Sequence, residues 1–115
     1  MKKIYHLATC STCQRILAEL KPGPEVHLQE IKSEPITEAQ LDELAAKAGS
    51  YEALFSRRAR KYKEWGLKDR SLTESDYRQL ILDEYTFLKR PVIVVGQEVF
   101  AGSDKKTVEA ARSRL

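Results

Sequence analysis

Residues 3–31 read KIYHLATCSTCQRILAELKPGPEVHLQEI, and this stretch decides the fold. It opens on Lys3-Ile4-Tyr5-His6-Leu7, a short run rich in strand-forming residues. Cys10-Ser11-Thr12-Cys13 follows, and a helical pattern runs from Ser11 or Thr12 to Leu20. Lys21-Pro22-Gly23-Pro24 stops that helix, because proline cannot continue it and glycine takes the turn. Val26-His27-Leu28-Gln29-Glu30-Ile31 alternates apolar and polar residues, as a half-buried strand does. Strand, helix and strand within about 30 residues make a βαβ unit with parallel strands and a right-handed crossover.

The remainder of the chain completes the pattern. Ser33 to Ile36 reads as a loop, and Thr37 to Ala48 as a helix opened by a Thr37–Gln40 capping box and closed by Gly49. Leu41, Leu44, Ala45 and Ala48 form its apolar stripe. Tyr51 to Trp65 reads as one or two short helices stopped by Gly66, and Thr73 to Glu84 as a further helix with Thr73 as its N-cap. Arg90-Pro91-Val92-Ile93-Val94-Val95 opens a buried strand. Gly96-Gln97 turns it back into Glu98-Val99-Phe100-Ala101, and a last helix runs from Asp104 to Arg112. The expected fold is therefore α/β and thioredoxin-like: βαβ plus ββα around one mixed sheet, with a helical insert over residues 37–85. Residues 1–115 are expected to form a single domain, a size at which one core suffices.

Bulk properties narrow the function classes. The hydrophobic fraction is 42% and the charged fraction 32%, as in a globular rather than a disordered chain. The net charge of +3, from 20 basic and 17 acidic residues, is too small to argue for direct nucleic-acid binding. No apolar run approaches the ~20 residues that span a bilayer. The N-terminal apolar stretch is shorter than a signal h-region, so no membrane association and a cytoplasmic location are expected. Arg57, Arg58, Arg60, Lys61 and Lys63 crowd into seven residues. They form either a site for an oxyanion or acidic partner, or a solvated helix face with Arg60 and Glu64 as an i,i+4 pair.

Cys10 and Cys13 are the only cysteines. At a strand-to-helix turn, unpaired backbone N–H groups and the helix dipole favour negative charge and lower a thiol's pKa. Two thiols at this spacing in a βαβ context read as a redox site, above all in a reducing compartment. Cys10, ahead of the helix, is the expected nucleophile, and Cys13, one turn in, the resolving thiol. A zinc site would need His6 and His27 as further ligands, without the second Cys or His pair of zinc-finger spacing. Pro91 sits where a strand tolerates proline, at its first position. Arg90 carries a planar fork suited to an oxyanion or carboxylate and would stabilise a thiolate beside it.

Together, Cys10-x-x-Cys13, Tyr62-x-x-x-Gly66-Leu67 and Arg90-Pro91-Val92-Ile93-Val94 resemble the ArsC/Spx family over essentially the whole chain. This thioredoxin-like family holds glutaredoxin-coupled arsenate reductases and Spx-type transcriptional regulators. The resemblance implies that Cys10 attacks an oxyanion such as arsenate, or a disulfide. Arg90 then contacts the anion beside a cis-Pro91, and Ser11 and Thr12 lie in the cysteine loop. Ser56 aligns where the reductases carry a second arginine, with Arg57, Arg58 and Arg60 following; Arg58 aligns with the Spx-type arginine. Ala101-Gly102-Ser103 aligns where the reductases carry a third, with Lys105 and Lys106 nearby. No bound cofactor is implied; electrons come from glutathione and glutaredoxin or from thioredoxin. The second cysteine resembles the Spx-type redox switch, which implies, as the alternative to catalysis, binding to the RNA polymerase α-subunit. Members of the family are usually monomeric.

Overall fold

A computed structural model describes residues 1–115. In chain order the elements are β1 (Lys2–His6), α1 (Ser11–Leu20), β2 (Val26–Glu30), α2 (Glu38–Ala48), α3 (Arg60–Glu64), α4 (Glu74–Asp83), β3 (Val92–Val95), β4 (Glu98–Ala101) and α5 (Lys105–Arg114). Single 3₁₀ turns occupy Glu52–Leu54, Leu67–Asp69 and Tyr85–Phe87. The chain divides into two compact units, one of Met1–Pro35 with Arg90–Leu115 and one of Ile36–Lys89.

The first unit holds a four-stranded sheet in the order β2-β1-β3-β4. β1 pairs in parallel with β2, from Lys2 opposite Val26 to His6 opposite Glu30. On its other side β1 meets β3 antiparallel, with Ile4 opposite Ile93, and β3 meets β4 antiparallel, with Val92 opposite Ala101. The sheet is thus mixed, a βαβ half joined to a ββα half, and thioredoxin-like. Side chains alternate across a strand, so Ile4, Val26 and Ile93 share one face. They pack with Ala111 of α5, and Leu17, Leu20, Val95, Phe100 and Leu115 close around them.

One strand departs from its sequence pattern. The alternation in β2 places Leu28 on the core face, opposite Ile4, yet Leu28 is 47% exposed whereas Gln29 is 2% exposed. β2 is an edge strand, and the periodicity of a strand carries no signal of where the cover on a sheet ends. Gln29 is satisfied in burial, its Nε2 donating to the Glu34 carbonyl at 3.1 Å.

The second unit is built from short helices with strong ends. Thr37 Oγ1 accepts from the Gln40 N–H while the Gln40 side chain accepts from the Thr37 N–H. Thr73 and Asp76 repeat the arrangement at α4. Each box satisfies two backbone donors that the first turn leaves open. Gly49 closes α2 at φ 101°, a conformation costly for any residue with a Cβ. The stretch from Tyr51 to Trp65 resolves into a 3₁₀ turn and α3. Glu74 holds that turn, its carboxylate accepting from the N–H groups of Tyr51 and Glu52. Arg78 of α4 grips Asp42 at 2.7 Å and Glu38 at 3.2 Å, both on α2. The unit's centre is aromatic: Phe55 stacks on Phe87 at 5.1 Å and packs tilted against Tyr77 at 4.9 Å. No helix is long and apolar enough to cross a membrane.

Candidate active site

The turn between β1 and α1 places Cys10 at the N-cap of α1 and Cys13 in its first turn. Both are free thiols; Cys10 is half-buried and Cys13 is fully buried. Their sulfurs lie within hydrogen-bonding reach of each other, and the Arg90 side chain reaches the Cys10 sulfur. Partial burial pushes the Cys10 thiol up, but the Cys13 backbone N–H, the Arg90 side chain and the Cys13 thiol outweigh it, and the net shift is downward. Cys13 moves the opposite way. Burial, with the charge of Cys10 and the hydrogen bond to it, pushes it up to about 11, against the opposing pull of the Leu7 backbone and Arg90. One thiol is poised to ionise and its neighbour is held protonated.

Arg90 and Pro91 lead into β3, and the peptide bond between them is cis. Pro91 is buried, and its carbonyl accepts from the Gly102 N–H at 2.9 Å. Ser11 is exposed and Thr12 half-buried on the first turn of α1. Cys10, Ser11, Thr12, Cys13, Arg90 and Pro91 therefore all belong to the sheet-bearing unit. Arg57, Arg58 and Arg60 belong to the other. There the Arg57 guanidinium donates to the Glu52 carboxylate at 2.8 Å and to the Tyr77 hydroxyl at 2.9 Å. The Arg58 N–H donates to Ser56 Oγ at 3.3 Å, and Arg60 begins α3. The i,i+4 pair expected between Arg60 and Glu64 does not form; Lys61 instead reaches Glu84 at 2.8 Å. Lys105 and Lys106 open α5. His6 and His27 do not gather with the cysteines into a group able to hold a metal ion.

Two residues at the cysteine loop carried no sequence signal as site residues. Glu30, the last residue of β2, accepts from the Ala8 N–H at 2.8 Å through Oε2. Its Oε1 accepts from the N–H groups of Lys32 and Ser33 and from the Ser33 hydroxyl. The Ala8 and Ser33 N–H groups lead in holding the Glu30 carboxyl down to about 2. Gln14 of α1 donates its side-chain amide to the Ala8 carbonyl. The only available hint was position: Glu30 ends the strand parallel to β1, where a side chain can reach the turn leaving β1.

A model of the ArsC family matches residues 5–111. Among solved structures, a protein from Yersinia pestis described as a candidate arsenate reductase is 26% identical, with a TM-score of 0.75 over 96% of this chain and 99% of that one. An arsenate reductase from Vibrio cholerae is 20% identical, with a TM-score of 0.79 over 99% and 97% of the two chains. An arsenate reductase-related protein from Brucella melitensis is 20% identical, with a TM-score of 0.73 over 95% and 92%. At their identities the last two share the fold and nothing further follows from them. No curated protein matched the sequence.

Proposed function

The chain belongs to the ArsC family, and from that premise we propose that it is a thiol oxidoreductase in which Cys10 attacks an oxyanion such as arsenate, or a disulfide, and Cys13 resolves the adduct. The observation that carries this reading is the opposed state of two adjacent thiols beside one arginine: Cys10 shifted down, Cys13 up to about 11. With arsenate, the Cys10 thiolate bonds to arsenic and displaces a hydroxyl, which leaves as water. Cys13, as thiolate, then attacks the Cys10 sulfur. The Cys10 S–As bond breaks with its electron pair on arsenic, giving arsenite and a Cys10–Cys13 disulfide. The two thiols thus supply the two electrons. A thiol reductant, glutathione with glutaredoxin or thioredoxin, returns the disulfide to dithiol. With a disulfide substrate the same two attacks release two thiols.

The order of attack follows from the charges. While Cys10 is a thiolate, its charge and its hydrogen bond help keep Cys13 protonated. Once Cys10 is bonded to substrate, both influences vanish while the Arg90 charge remains, so Cys13 becomes easier to ionise when its attack is needed. Arg90 first stabilises the thiolate and then offers its fork to the bound oxyanion. Ser11 and Thr12 line the cysteine loop.

The test is arsenate-dependent NADPH oxidation, coupled once through glutathione and glutaredoxin and once through the thioredoxin system. Wild-type protein should turn over, and Cys10→Ser should lose at least about 10³-fold, the scale on which a covalent nucleophile matters. Full activity in Cys10→Ser would overturn the mechanism. Turnover of a disulfide but not of arsenate would move the substrate class. Absence of both, with binding to the RNA polymerase α-subunit that differs between oxidised and reduced protein, would replace catalysis by a redox switch.

A further inference from the structure

We propose that Glu30 and Gln14 are positioning residues that clamp Ala8 from both sides and thereby hold the Cys10 sulfur against the donors that ionise it. The inference rests on the reading of Cys10 as the attacking thiol. Ala8 lies two residues before Cys10, in the turn that leaves β1. Its N–H donates to Glu30 Oε2 at 2.8 Å and its carbonyl accepts from Gln14 Nε2. Both polar backbone groups of one loop residue are therefore held by side chains, from β2 on one side and from α1 on the other. Backbone bonds complete the turn: the Cys10 N–H donates to the Leu7 carbonyl at 3.1 Å, and the Gln14 N–H to the Cys10 carbonyl at 3.0 Å.

Glu30 is itself immobilised. Its second oxygen takes the Lys32 N–H at 3.0 Å, the Ser33 N–H at 2.7 Å and the Ser33 hydroxyl at 2.9 Å. A carboxylate fixed by three donors on one oxygen presents the other in a defined place. The influences that lower Cys10, namely the Cys13 N–H, Arg90 and the Cys13 thiol, all act at hydrogen-bond range. They fade if the turn loosens by even a fraction of an ångström. Glu30 thus acts on Cys10 through the backbone and does not touch substrate.

Charge and position pull in opposite directions here, and the sign separates them. A carboxylate near a thiolate disfavours it, so removing the charge alone should make Cys10 more acidic. Removing a clamp should make Cys10 less acidic. The experiment is the pH profile of iodoacetamide alkylation of Cys10, located by fragmentation mass spectrometry, in wild type, Glu30→Ala, Glu30→Gln, Gln14→Ala and the control Glu34→Gln. Glu34 is an exposed carboxylate in the same turn. The expected result is an upward midpoint shift of about half a pH unit or more in Glu30→Ala and Gln14→Ala, equivalent to about threefold slower alkylation at neutral pH. Glu30→Gln, which keeps one acceptor oxygen, should fall between, and Glu34→Gln should match wild type. A wild-type or downward-shifted midpoint in folded Glu30→Ala and Gln14→Ala overturns the proposal. Should Glu30→Ala fail to fold, Gln14→Ala, which changes no charge, decides by the same sign. Alkylation needs no oxyanion, so a protein that ignores arsenate but shows the shift would refute the substrate and leave the clamp standing.

Discussion

At the scale of single residues, the site is two thiols made unequal by position. Cys10 owes its acidity to the Cys13 backbone N–H, to the Arg90 side chain and to the Cys13 thiol. Arg90→Gln should therefore raise the midpoint of Cys10 alkylation towards the ordinary thiol value of about 8.5, and the rate at neutral pH should drop several-fold. An unchanged midpoint would remove Arg90 from the thiolate's environment. Cys13 has a separate signature in stability. Its folded value of about 11 lies above the unfolded value, so between the two the unfolded chain has lost the proton that the folded chain keeps. The reduced protein should lose stability as pH rises from about 8.5 towards 11. Cys13→Ala should flatten that alkaline limb in a series of thermal melts, and an unchanged limb would contradict the burial of a protonated thiol.

At the scale of elements, much of the architecture was legible because its signals are local. The capping box at Thr37, the N-cap at Thr73, the glycine stops at Gly49 and Gly66, and the hairpin turn at Gly96-Gln97 each follow from residues within a few positions of one another. Thr73→Ala removes an acceptor from the first turn of α4 and should cost about 1 kcal/mol in urea denaturation. A loss below a few tenths would mean that tertiary packing alone holds α4. What escaped was long-range. Glu30 reaches Ala8 across 22 positions and Lys61 reaches Glu84 across 23, and no periodicity reports such a bond. The exchange of burial between Leu28 and Gln29 escaped for a related reason: the sequence of an edge strand does not say that it is an edge. The residue types at Arg90-Pro91 were readable, but the cis state of their bond was not, since both isomers are open to any X-Pro pair.

At the scale of the whole molecule, the ArsC-family sheet and the helical unit of residues 36–89 each carry their own apolar centre. Phe55, 1% exposed among Phe87, Tyr77 and Tyr62, anchors the second of these. Phe55→Ala should cost about 3–5 kcal/mol. Hydrogen exchange should show the loss of protection first in α2 and α4, ahead of β1 and β3. Uniform loss throughout would mean that the two units open together.

The division of the sheet-bearing unit between the two ends of the sequence also orders events in time. Cys10 leaves the ribosome 80 residues before Arg90, and β1 waits longer still for β3. Until then the thiol pair has its helix but not its cation, and a contact this distant forms late because a long loop must close first. A nascent chain therefore holds the cysteine pair with the Cys13 backbone N–H in place but without the Arg90 contribution. The part of the Cys10 shift that Arg90 supplies is therefore absent until residue 90 has been added and β3 has paired with β1.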